Sequence, residues 1–129
     1  MLATAPEFID LTPEMKARLD RFRDEHKDDA LGGVGGRVIL EDDRVRIWEL
    51  TLEPGEASAL HRHDHDYYLI IMEGDYVAGV TPPGSPVESF VGKVPEAGNT
   101  VAIPKGGLEW AYNVGDKTYR EFIVELKQS

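Results

Sequence analysis

Three of the four histidines in this sequence lie at alternate positions, His61, His63 and His65, and Tyr67 follows at the same spacing. In an extended strand, alternate side chains lie on one face, so these four side chains would share one side. Three imidazoles on one face suit a divalent metal ion, because burying unpaired ring nitrogens is costly and a cation binds several together. The alternative is a solvent-exposed His/Asp tract at a strand end. Alternation by itself does not indicate which face points inward.

The composition excludes several other kinds of chemistry. The 129 residues include no Cys, which removes disulfides, thiolate metal sites and cysteine nucleophiles. Lys and Arg number 14 against 24 Asp and Glu, a net charge of −10, so we expect no nucleic-acid partner and no anionic membrane partner. The longest apolar run, 67–72, is far too short for a membrane helix, and no secretion signal is visible. We therefore expect a cytoplasmic protein.

The hydrophobic pattern divides the chain into two parts. Thr12 and Pro13 are typical of a helix start, and apolar residues at steps of three and four predict one amphipathic helix over 12–27. From Arg37 the period changes to two, and turn residues, including a turn at 95–99, separate short segments. These predicted strands are 37–41, 44–53, 57–61, 65–73, 76–81, 87–92, 100–103, 108–114 and 118–127. Residues 1–35 are thus predicted to form an arm and a helix, and residues 36–129 an antiparallel β-sandwich or small barrel.

Two stretches of the sequence resemble the two motifs of the cupin superfamily. The first runs Gly55-x5-His61-x-His63-x3-Tyr67-x6-Gly74, and the second runs Gly98-x5-Pro104-x-Gly106-x2-Glu109-x3-Asn113. The glycines, the proline and the asparagine are in register, whereas the family has Glu at the place of Tyr67 and His at the place of Glu109. The resemblance covers residues 37–127. It implies an all-β jelly-roll barrel with one N-terminal helix outside it, a metal in its mouth and often a homodimer.

The resemblance implies His61 and His63 as metal ligands, while the two departures leave the other ligands open. Glu109 shares a strand face with Ala111 and Asn113, so its carboxylate is expected to point inward. Two histidines and one carboxylate bind Fe(II), Mn(II), Ni(II) or Zn(II) and leave positions open for a substrate. Tyr67 is a weaker ligand, because a phenol with a pKa of about 10 must lose its proton to bind. His65, one step along the same face, is the expected replacement.

The residues and the resemblance together predict one divalent metal ion held by His61, His63 and Glu109, with His65 or Tyr67 as the additional ligand and His65 the expected choice. In one version of the function the metal acts as a Lewis acid and Tyr67 or a free His65 moves a proton, as in a lyase or isomerase. In another version the metal binds both substrate and oxygen, as in a dioxygenase. The alternative is a non-catalytic cupin that binds a small ligand or serves as a structural or regulatory subunit. In either case the partner is a small organic molecule that the sequence does not identify.

Overall fold

The computed structural model describes residues 7–94 and 99–129 of the chain. Its elements in chain order are β1 (Glu7–Phe8), α1 (Pro13–His26), β2 (Arg37–Glu41), β3 (Val45–Leu52), β4 (His61–Arg62), β5 (Tyr67–Glu73), β6 (Tyr76–Val80), β7 (Phe90–Lys93), β8 (Asn99–Ile103), β9 (Leu108–Asn113) and β10 (Tyr119–Leu126). Gly98 and all but the last residue of the turn predicted at 95–99 lie outside the described residues. Within these ranges, no helix has the length and apolar character to cross a membrane.

The strands form two five-stranded antiparallel sheets. The first sheet has the order β1-β7-β6-β9-β4 and the second the order β2-β3-β10-β5-β8. Their inner faces share one apolar core, in which Leu50, Ile71 and Tyr119 of the second sheet cluster with Val94, which follows β7 of the first. In the described ranges the strand pairing leaves two separate sheets rather than one closed barrel. The all-β jelly-roll fold is confirmed.

The helix lies on the outer face of the first sheet, as the sequence predicts. Thr12 caps it, because its hydroxyl accepts a hydrogen bond from the backbone N–H of Met15 at 3.1 Å. Leu19 and Phe22 on its apolar side are buried against a cluster that includes Trp110 of β9. Since Trp110 and its strand neighbour Glu109 point to opposite faces, the helix covers the outside and leaves the inner face free.

The motif residues of the cupin resemblance shape turns and loop anchors in the fold. Gly55, Gly74 and Gly106 have φ angles of +85°, +134° and +115°, which glycine adopts without the strain that a Cβ introduces. Asn113 is completely buried, and its amide donates to the carbonyl oxygens of Leu52 and Lys117, both at 2.9 Å. This asparagine ties the end of β3 to the turn between β9 and β10.

Candidate metal centre

The pairing of β4 with β9 brings His61 and Glu109 directly opposite each other. The next inward side chain is His63, which lies just beyond the end of β4. Its backbone N–H donates to the carbonyl of Gly107, and its own carbonyl accepts from the N–H of Gly106, both at 2.8 Å. The loop before β9 therefore fixes the backbone of His63 beside His61, and both imidazoles are 3% exposed.

The ring of His61 is oriented by a backbone hydrogen bond. Its Nδ1 lies 2.9 Å from the carbonyl oxygen of Ala59. Because a carbonyl only accepts, Nδ1 carries the proton and Nε2 keeps its lone pair for a ligand. Burial lowers the pKa of His61 below its ordinary value, although the Ala59 hydrogen bond acts in the opposite direction. The ring is thus favoured in the neutral form that binds metals.

The ring of His63 is held between two other side chains. It stacks on Tyr67 with centroids 3.9 Å apart and an interplanar angle of 11°, and it meets His61 edge-on at 4.8 Å. Its Nε2 lies 3.8 Å from Oε1 of Glu109, which is beyond hydrogen-bond distance. Its Nδ1 is buried without a hydrogen-bond partner among the described residues. Burying this imidazole with an unpaired nitrogen costs free energy.

The three donor groups fit a single metal ion. One ligand atom each of His61, His63 and Glu109 lies within 4.8 Å of the other two. Ligand atoms bound to one ion at about 2.1 Å lie at most about 4.2 Å apart, so a small inward movement of the side chains closes the site. A cation there would also compensate the buried imidazoles. Of the four ligands expected from the sequence, the structure therefore brings three together: His61, His63 and Glu109.

His65 does not join this group among the described residues. The prediction that His61, His63, His65 and Tyr67 share one face assumes an extended strand, but the chain is not a strand between β4 and β5. It crosses there from the first sheet to the second, and the carbonyl of Asp66 already accepts from Leu126 of β10. Alternation is interrupted at this crossing. His65 is half-buried, with its Nδ1 lacking a partner in the described part of the chain.

Tyr67 lies at the start of β5 and is only 4% exposed. Burial raises the pKa of its phenol well above the ordinary value, and the charges of Glu109 and Glu121 act in the same direction. The side chain is therefore a protonated phenol stacked on His63. The raised pKa argues against Tyr67 as an anionic ligand and leaves its hydroxyl protonated beside the three donors.

Two connected spaces give access to the three donors. A cavity of about 100 Å3 lies between the sheets and is lined by His61, His63 and Glu109 together with apolar side chains such as Leu69 and Ile123. A larger groove of about 830 Å3 lies outside it, formed by the loop 81–87 and the segment 106–109. Tyr67 and Glu109 line both spaces. Tyr67 and Glu109 thus lie where the cavity and the groove adjoin.

The cavity also contains a buried carboxyl group that is not among the site residues predicted from the sequence. Glu121 of β10 is 4% exposed and accepts a hydrogen bond from the Tyr119 hydroxyl at 2.8 Å. Burial raises the pKa of Glu121 to about 7, with the Glu109 charge adding to the effect. The signal in the sequence was the alternation of Tyr119, Glu121 and Ile123, which places this carboxyl on the face that carries large apolar residues.

The chain is similar to curated plant proteins at low identity, while no family model matches it. It is 22% identical over 101 residues to auxin-binding protein T85 of Nicotiana tabacum, covering 74% of this chain and 52% of that protein. It is 26% identical over 96 residues to auxin-binding protein 1 of Arabidopsis thaliana, covering 70% of this chain and 46% of that protein. The chain therefore spans about half the length of the curated relatives it matches.

Solved structures show the fold. A cupin domain protein of Bordetella pertussis matches with a TM-score of 0.63 at 22% identity over 76% of this chain and 97% of that one. A cupin family protein with a double-stranded β-helix fold from Methanocaldococcus jannaschii matches with a TM-score of 0.56 at 18% identity over 98% and 92% of the two chains. Oxalate decarboxylase of Bacillus subtilis matches with a TM-score of 0.51 at 16% identity, over 65% of this chain and 22% of that one. The chain has the cupin fold.

Proposed function

We propose that the chain binds one divalent metal ion through His61, His63 and Glu109 and is a metal-dependent enzyme acting on a small organic molecule. The observation that carries this proposal is the convergence of the three donor atoms within 4.8 Å in a buried cavity with an open groove before it. Fe(II), Mn(II), Ni(II) and Zn(II) accept two imidazoles and one carboxylate. When bound, such an ion supplies a Lewis acid and open positions for ligands.

Proton transfer is the reaction type that the surroundings of the site favour. Tyr67 is a protonated phenol that lines both the cavity and the groove, so it can give a proton to a substrate held there. A dioxygenase needs no such side-chain acid. We therefore favour a lyase, decarboxylase or isomerase over a dioxygenase, with Tyr67 as the proposed catalytic acid. His65, at the crossing between the sheets and outside the group of three donors, is proposed as an assisting base.

The proposed substrate carries an oxygen group that binds a metal, such as a carboxylate, on a small and mostly apolar body. The cavity is narrow, about 100 Å3, and most of its lining is aliphatic. The name of one protein with a similar fold, oxalate decarboxylase, is compatible with a carboxylate as substrate. At 16% identity this similarity concerns the fold, so the cavity carries the argument.

We also propose that the chain forms a homodimer. The outer face of the second sheet carries a row of apolar residues in cross-strand register: Leu40, Ile47, Val124, Tyr68 and Ala102. Leu40 and Tyr68 are 48% and 40% exposed, and in the described ranges the helix covers the other sheet. A contiguous apolar face of this kind is typical of an interface. Sedimentation of the protein with Tyr68→Lys should give monomers where the wild type gives dimers.

Elemental analysis of protein prepared without an affinity tag tests the metal proposal. After refolding with each of the four metals, we expect about one ion per chain for at least one of them. The His61→Ala and His63→Ala variants should contain no bound metal ion. His26→Ala is the matched control, because His26 stacks on Phe22 and bonds to Asp29 on the helix. Stoichiometry below about one in ten for all four metals would contradict the proposal. Metal binding without turnover of any carboxylate tested would favour the non-catalytic alternative.

A further inference from the structure

Glu121 is a buried carboxyl group that the proposed chemistry does not use. It lies on the inward face of β10 and lines the same cavity as His61 and His63. Its neighbour in register on β5 is Ile71, four residues beyond Tyr67. Four residues of strand span about 13 Å between Cα atoms at about 3.3 Å per residue, so the backbone of Glu121 lies toward the end of the cavity away from the start of β5.

Within residues 7–94 and 99–129, no Lys or Arg forms an ion pair with Glu121 of the kind that surface carboxylates form, and Lys93, the Lys that lines the same cavity, is itself exposed. Arg120, next to it in sequence, pairs with Glu49 at 3.2 Å, and Arg46 pairs with Glu41 at 3.0 Å. The partner of Glu121 is the hydroxyl of Tyr119, which donates to Oε2. That hydrogen bond uses one of the two carboxyl oxygens, and a buried carboxyl with one neutral partner costs free energy.

We propose that Glu121, held by Tyr119, is a specificity-determining residue that binds a hydroxyl group at the end of the ligand remote from His61, His63 and Glu109. This inference rests on the proposed function, which places the other end of the ligand at those three residues. A hydroxyl fits because it both donates and accepts, so it pairs with a carboxyl in either protonation state. Burial favours the neutral carboxyl, which argues against an ammonium group as the natural partner.

The size of the cavity limits the ligand that joins the two sites. About 100 Å3 corresponds to roughly three water molecules at about 30 Å3 each, so only a short aliphatic chain fits between them. The side chains lining the middle of the cavity, including Leu69, Val77 and Ile123, are apolar. The ligand class is therefore a short hydroxylated carboxylate.

Matched pairs of probes test this inference in Zn(II)-loaded full-length protein. The probes are butyrate, pentanoate and hexanoate, each compared by calorimetric titration with its ω-hydroxy derivative. The best-fitting hydroxylated probe should bind wild-type protein about 3- to 10-fold more tightly than its parent, the range of one net hydrogen bond. Glu121→Gln, which still donates and accepts, should keep that preference. Glu121→Leu should reverse it, with Zn(II) content unchanged.

Four other outcomes would contradict part of this inference or the proposed function on which it rests. Equal binding of a parent and its hydroxylated derivative at every chain length, or no binding of any probe, would overturn the assignment of Glu121. Tighter binding of an ω-amino derivative than of the hydroxylated one would overturn the hydroxyl as its partner. Loss of Zn(II) in Glu121→Leu would overturn its position away from the metal. A wild-type protein that takes up no Zn(II), Fe(II), Mn(II) or Ni(II) would instead refute the proposed function, on which this inference depends.

Discussion

Gly79 of β6 leaves the space that the carboxylate of Glu109 occupies. A Cβ built on Gly79 would lie 2.6 Å from Oε2 of Glu109, and it would also overlap the ring of Phe90. A carbon and an oxygen do not approach this closely without one of them moving. The absence of a side chain on β6 is thus a condition for the position of the ligand carboxylate on β9.

Replacing Gly79 by Ala should therefore weaken metal binding without removing a ligand. The added methyl group displaces Glu109 from the two histidines, and we expect an affinity loss of about 10- to 100-fold, the range for disturbing a group that positions a metal ligand. A competition titration against a chelator measures it. Gly92→Ala is the matched control in the same cavity, because its Cβ would meet atoms at 3.8 Å, an ordinary contact. Equal affinities of the Gly79 variant and wild type would contradict this role.

The framework of the site could be predicted from sequence because it is local. The glycines at positions 55, 74 and 106 have the backbone angles that turns require, and the strand period places His61 and His63 on one face and Glu109 on the face of Asn113. Such features depend on a residue and its near neighbours in the chain. The helix could be predicted for the same reason, from its cap at Thr12 and its apolar spacing.

The features that the sequence leaves open depend on contacts between distant parts of the chain. His65 has the spacing of a ligand, but the chain crosses between the sheets at 63–66, and strand alternation does not continue through such a crossing. The importance of Gly79 arises from Glu109, thirty positions later and on another strand. The alternation of Tyr119, Glu121 and Ile123 indicates that Glu121 shares a face with large apolar residues, but the cavity beside it arises from the packing of the two sheets. Spacing and composition do not contain that packing.

His65→Ala should change metal affinity far less than the loss of either histidine ligand. The side chain is outside the group of three donors, so its removal leaves the proposed set intact. We expect a reduction of at most about 10-fold, the lower limit for disturbing a supporting residue, whereas His63→Ala should abolish binding. The same chelator competition compares the two variants. Loss of all metal in His65→Ala would show that the sequence-based assignment of His65 as a ligand is correct.

Tyr67→Phe should retain the metal and lose turnover. Phenylalanine keeps the ring that stacks on His63, so the imidazole stays in place, while the proton that the proposed reaction requires is removed. We expect a loss of about 100-fold or more in kcat, the lower end of what one general acid contributes. Tyr67→Leu, which lacks the ring, should reduce metal affinity as well. A charge-transfer band in the Fe(III) protein that disappears in Tyr67→Phe would instead make Tyr67 a ligand.

The buried carboxyl of Glu121 should make the metal-free protein less stable as pH rises. Its pKa is about 7 in the folded state against 4.5 ordinarily, so between these values the folded protein binds more protons than the unfolded chain. Stability then falls with rising pH across this window, because the favoured neutral form is lost. The full effect above the window is about 3 kcal/mol, at about 1.36 kcal/mol per pKa unit.

Glu121→Gln should remove this dependence, since an amide does not titrate and still accepts the hydrogen bond from Tyr119. In urea unfolding between pH 4.5 and pH 8, the free energy of unfolding of the variant should increase relative to that of the wild type by about 3 kcal/mol as pH rises. Glu49→Gln is the control at a carboxyl that is paired with Arg120. The hydrogen bond from Arg120 lowers the pKa of Glu49 below its ordinary value, so the stability that this carboxylate adds is almost fully present from about pH 5.5 upward, and the difference between this variant and wild type should stay nearly constant from there to pH 8. Parallel curves for wild type and Glu121→Gln would show that Glu121 is ionised and compensated in the folded protein.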